Sequence, residues 1–180
     1  MKLTSMLTLT VLLTCLHVPP ASGSDSSAVA RLCQAVKDRN KMIVDKGQTE
    51  VIWSDGAMFE VNSKFPASLQ ELISASKEIR DLKPAIARLT AGPNWKDATV
   101  SRSSSGDPHR TVKSLDGTVS VKASSAYMDY VKERYPNARV RIQGEFQPIV
   151  FMVGDTVRAA VMPIRSATPA NQADERKSKG

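Results

Sequence analysis

The sequence predicts an α+β fold in which an antiparallel sheet of hairpin strands packs against about three amphipathic helices. Three observations carry that expectation. Between Ala138 and Arg165 the stretches RVRI, PIVFMV and TVRAAVMPI follow one another closely as strands; two Asp-Gly pairs, Asp55-Gly56 and Asp116-Gly117, sit between strand-like flanks; and three further stretches space their apolar residues at helical intervals.

Residues 1–23 read as a secretory signal peptide. Lys2 precedes an apolar stretch from Leu7 to Val18 that is too short to span a bilayer, and Ala21 and Gly23 are small where signal peptidase requires it for a cut before Ser24. A second reading takes Leu12-Leu13-Thr14-Cys15 as a lipobox, which would make Cys15 a lipidated first residue and tether the mature chain to a membrane. Residues 24–165 are then expected to form one domain, and residues 166–180 a disordered polar tail.

Ser24 to Ser27 offer N-caps for a first helix with Val29, Leu32, Cys33, Val36 and Ile43 on its apolar stripe, and Gly47 supplies a stop. Cys33 falls on that stripe and reads as a small buried hydrophobe. Glu50–Ser54 and Ala57–Val61 form a hairpin about Asp55-Gly56, with Trp53 in the core. Pro66 opens a second helix bearing Leu69, Leu72, Ile73, Ile79 and Leu82. Pro84 breaks or kinks it, and 85–91 continue as a short extra piece.

From Ser101 to His109 no apolar residue is available for packing, so the chain is expected to form an exposed loop. Thr111–Leu115 and Thr118–Lys122 then bracket Asp116-Gly117 as a polar hairpin suited to a sheet edge. Ser124 or Ser125 caps a third helix with Tyr127, Tyr130, Val131 and Tyr135, which Pro136 ends. In the strands that follow, Val140 and Ile142 alternate with Arg139, Arg141 and Gln143, giving one buried and one wet face. Ile149–Val153 does not alternate and fits a strand covered on both faces, joined through Gly154-Asp155 to its partner. Read as function, this last hairpin could also be a sheet edge that receives a partner's strand.

Composition limits the chemistry. The 180 residues are 41% hydrophobic and 24% charged, with a formal net charge of +7, so acidic partners are favoured. The basic residues are dispersed and aromatics are scarce, which argues against a nucleic-acid surface. Beyond residue 23 one cysteine, Cys33, and one histidine, His109, remain. That pair builds neither an internal disulfide nor a paired His/Cys zinc site, and no metal or cofactor is implied. Serine-hydrolase and nucleotide-loop signatures are absent.

Groups of catalytic type gather in one place, as His109, Arg110, Lys113 and Asp116. A phosphodiester hydrolase could use His109 as nucleophile or base and the two cations to hold phosphate, although a solvated histidine on a loop explains the same residues. The leading expectation is an exported, non-catalytic binding or adaptor protein, periplasmic or extracellular, that recognises a protein partner or an anionic envelope component. The alternatives are a small secreted hydrolase using the His109 loop on a phosphate-bearing or polysaccharide substrate, and a lipoprotein assembly factor tethered through Cys15.

Overall fold

A computed structural model describes residues 26–102 and 106–164. Residues 1–23, where a signal peptide is expected, with Cys15 among them, and the polar stretch 166–180 lie outside the described residues. Helix α1, Ser27–Arg39, begins where the Ser26 hydroxyl accepts a hydrogen bond from the Val29 amide at 3.3 Å, and it buries Val29, Leu32, Cys33 and Val36. It ends at Asn40, which adopts φ 49° and donates its amide to the Lys37 carbonyl. Helix 1 is therefore shorter than the apolar spacing predicted. Ile43 instead opens strand β1, Ile43–Lys46, and Gly47 lies in the turn before β2, Val51–Ser54. A side chain at Gly47 would meet the Glu50 carbonyl oxygen at 2.6 Å, so this turn requires glycine.

The second predicted helix divides into three elements. Helix α2 covers Ala67–Ala75, strand β4 covers Glu78–Ile79, and helix α3 covers Lys83–Thr90. Leu69 and Ile73 are buried on α2 as the stripe requires, but Ile79 is 62% exposed. The chain leaves α2 because Ser76 turns extended and its hydroxyl donates to the Met42 carbonyl at 2.7 Å, which brings β4 parallel to β1. Pro84 does not break a helix here. It sits in the first turn of α3, where its missing amide costs nothing.

The remaining elements are β3 (Met58–Asn62), β5 (Lys96–Val100), β6 (His109–Ser114), β7 (Ser120–Ser124), α4 (Ser125–Arg134), β8 (Arg139–Ile142), β9 (Ile149–Val153) and β10 (Thr156–Val161). Among the described residues these strands form one sheet in the order β4-β1-β2-β3-β10-β9-β8-β5-β6-β7, antiparallel except where β1 meets β4. The fold is α+β, with a larger sheet and one more helix than the hairpin reading predicted. Both Asp-Gly hairpins form, as β2–β3 and β6–β7. The β9–β10 hairpin lies inside the sheet, between β8 and β3. It is therefore not an edge open to a partner's strand.

Helices α1, α2 and α4 cover one face of the sheet, over Val44, Trp53, Ile149, Phe151 and Ala159, while α3 covers part of the other face over Phe59, Val150 and Ala160. Strand β9 contributes Ile149 and Phe151 to the first layer and Val150 to the second, so it is covered on both faces as its continuous apolar run predicts.

Beyond β10, the Met162 amide donates to the Ala57 carbonyl beside β3, and the Ile164 amide donates to the Lys122 carbonyl on β7. In a flat sheet β7 would stand five strand spacings from β10, about 24 Å. Three residues of chain reach about 10 Å. The sheet must therefore curl, and it does so around α4, which packs on β6, β7 and β10.

Candidate binding surface

The four residues singled out from the sequence occupy three different settings. His109 and Lys113 lie on β6 in alternate register with Arg110, so they project from the opposite face of the sheet. Arg110 is buried and faces α4, where its Nε and Nη2 donate to the two carboxylate oxygens of Asp129 at 2.8 and 2.7 Å. Arg31 of α1 reaches the same carboxylate at 3.1 Å, so Asp129 ties β6, α4 and α1 together. The Asp129 hydrogen bond holds the Arg110 guanidinium above its ordinary pKa. Asp116 closes the β6–β7 turn: it accepts from Lys96 Nζ at 2.7 Å and from the Ser114 hydroxyl and the Thr118 amide. Lys96, then Ser114 and Thr118, hold its carboxyl well below the usual carboxylate range.

Two fully buried carboxylates, which the sequence reading did not single out, lie beneath α4. Asp55 begins the β2–β3 turn, where one oxygen accepts the Ala57 and Met58 amides at 2.9 Å each. Its other oxygen accepts the Tyr127 hydroxyl and lies 3.6 Å from Arg39 Nε. Glu60 stands on β3 in a cross-strand row with Val44, Trp53, Ala159 and Phe151, all on the helix-covered face. Trp53 Nε1 donates to Glu60 at 3.2 Å, and the hydroxyls of Tyr130 and Tyr135 donate at 2.7 Å each. Arg134 Nε lies 3.5 Å away and supplies a compensating charge. A buried carboxylate needs this much compensation to remain in place. Burial first, then Glu60 or Asp55, raises the pKa of all three tyrosines far above its ordinary value. These contacts clasp α4 to the β2–β3 hairpin.

The outer face of the sheet differs in kind. Register places Arg139 beside Met152 and Arg141 beside Val150, so both arginines lie on the side that α3 partly covers. Asp97, Thr99, Lys113 and Thr111 continue that face across β5 and β6. A slot of about 110 Å³ opens there between Thr90, Trp95, Arg141, Val150, Met152 and Val157. Trp95 is fixed as one wall by its indole N–H, which donates to the Thr90 carbonyl at 3.2 Å. Arg141 Nη2 donates to the Trp95 carbonyl at 2.9 Å, and its Nε lies 3.5 Å from Asp97. Arg139 is exposed and rests on the Met152 sulfur at 4.0 Å. The surface thus joins apolar walls to guanidinium groups.

Comparison with family models, curated proteins and solved structures returned no match for the chain. Among the described residues no helix is long and apolar enough to cross a membrane, and no group of His, Cys, Asp and Glu is placed to hold a metal ion. Cys33 is buried, with its sulfur 3.3 Å from the Ser68 hydroxyl. The alternation in Arg139–Ile142 signals that both arginines lie on the face opposite the helix-covered core, although Arg139 is exposed there and Arg141 only partly so. Nothing local signals Trp95, because the slot depends on strands β8, β9 and β10 meeting the chain that follows α3.

Proposed function

We propose that the protein is an exported, non-catalytic binding or adaptor protein that recognises an acidic partner on the outer face of its sheet over β8, β5 and β6. The observation that carries this reading is the exposed Arg139. It faces no carboxylate among the described residues, whereas the nearby Arg141 and Arg158 are paired with Asp97 and Glu50. Lys113, exposed on the same face, likewise has no acidic partner there. Unneutralised cations beside apolar walls favour a ligand that brings both negative charge and apolar surface. Export rests on residues 1–23, and the net charge of +7 favours the same class of partner.

Two measurements test this reading. Mass spectrometry of the protein from its native host is expected to find a chain beginning at Ser24 without added mass; a diacylated chain beginning at Cys15 would instead favour the tethered alternative. In fluorescence anisotropy, Arg139→Glu is expected to weaken binding of a labelled acidic peptide and to reduce its salt dependence. Unchanged affinity would overturn the surface assignment.

A further inference from the structure

We propose that the slot beside Arg139 and Arg141 takes one aliphatic side chain from an acidic segment of a protein partner. This rests on the outer-face reading above and adds to it the feature that would give the surface its selectivity. Three observations point to that occupant.

The first is size. A cavity of roughly 150 Å³ lined by Leu, Ile and Phe takes up benzene. At about 110 Å³, this slot suits a branched aliphatic side chain better than an aromatic ring. The second is the character of the walls: Val150, Met152 and Val157 belong to the apolar cluster of the outer face, and Trp95 packs against the same cluster. Such walls favour a carbon side chain over a polar headgroup or sugar.

The third observation is the placement of charge. Arg139 touches Met152, which is itself a wall, and Arg141 lines the slot directly. A carboxylate next to the inserted side chain would therefore come within reach of a guanidinium as the side chain enters. Aliphatic and acidic groups on adjacent residues are a property of a peptide. Phosphate-rich lipid would satisfy the arginines and leave the small slot unused.

The test uses a short capped peptide with one leucine among aspartates and glutamates, its leucine-to-alanine counterpart, and phosphatidylglycerol vesicles. The leucine peptide is expected to bind at least about tenfold more tightly than the alanine peptide, and up to roughly fiftyfold if all three additional carbons of leucine are buried. Val157→Phe, which fills the slot, should remove that preference, so that the leucine and alanine peptides bind the variant equally. Met152→Ala enlarges the slot and should shift preference toward a phenylalanine peptide. Thermal melts check the fold of each variant, and the two variants perturb the slot in opposite senses.

Equal binding of the leucine and alanine peptides would overturn the slot assignment while leaving the outer-face reading standing. The same conclusion follows if the leucine preference survives in both variants. Tight binding to vesicles without binding to either peptide would overturn a peptide occupant in favour of an anionic surface. Failure of all three probes to bind would overturn the outer-face reading as well.

Discussion

Glu60 shows how a single residue can fix the position of a helix. Its carboxylate accepts Trp53, Tyr130 and Tyr135 and lies beside Arg134, so removing it leaves several donors buried at once. Glu60→Ala is expected to cost about 3–5 kcal/mol, measured by urea denaturation, because it leaves the buried Trp53 and Tyr130 donors without an acceptor and the partly exposed Arg134 without its counter-charge. The tyrosines add a pH dependence with a defined sign. Because the Tyr130 pKa is raised on folding, its contribution is fully present below the ordinary tyrosine value of about 10 and is lost as pH rises through the folded value. Stability should therefore fall less steeply above about pH 10 in Tyr130→Phe than in the wild type, although the variant starts less stable. Equal slopes would contradict the burial of that hydroxyl. The sequence made Tyr127, Tyr130 and Val131 legible as a buried helix stripe. It did not reveal the partner of Tyr130, which lies 70 residues away and leaves no local signal.

At the scale of elements, the chain between Pro66 and Thr90 separates propensity from pairing. Helical spacing correctly placed Leu69 and Ile73, then continued across Ile79, where the open edge of β1 captures the backbone as a strand. Two paired residues are too few to create a period, so β4 was not legible. Strand β5 was missed for a related reason: Lys96–Val100 is polar, and its place is set by β8 and β6, both distant in sequence. The Asp-Gly hairpins were legible because their geometry is local; Gly56 and Gly117 adopt φ of 85° and 73°. Paired substitutions test the divided helix. Ile73→Ala should cost about 2–5 kcal/mol and Ile79→Ala no more than about 0.5 kcal/mol, read from denaturation midpoints. Comparable costs would restore the single long helix.

The two faces of the sheet differ in kind: one carries the large helix-covered core, the other a small apolar cluster beside charged side chains. Curling around α4 gives the helix face a continuous core and presents β8, β5 and β6 on the outside. The Ile164-to-Lys122 hydrogen bond closes that curl, and Ile164→Pro, which deletes the donor, is expected to cost about 1 kcal/mol. Outside, the net charge of +7 gives the protein a general attraction for acids, whereas the functional account requires a particular place. The most direct measurement compares two double variants with the same change in net charge: Arg139→Glu with Lys113→Glu on the outer face, and Lys37→Glu with Lys41→Glu beside the groove between α1 and α2. Both are titrated with one labelled acidic peptide at matched ionic strength. The outer-face pair is expected to lose binding by tenfold or more, about 1.4 kcal/mol, while the α1 pair stays near wild type. Equal losses in the two variants would show that net charge alone attracts the ligand and would contradict an outer-face site.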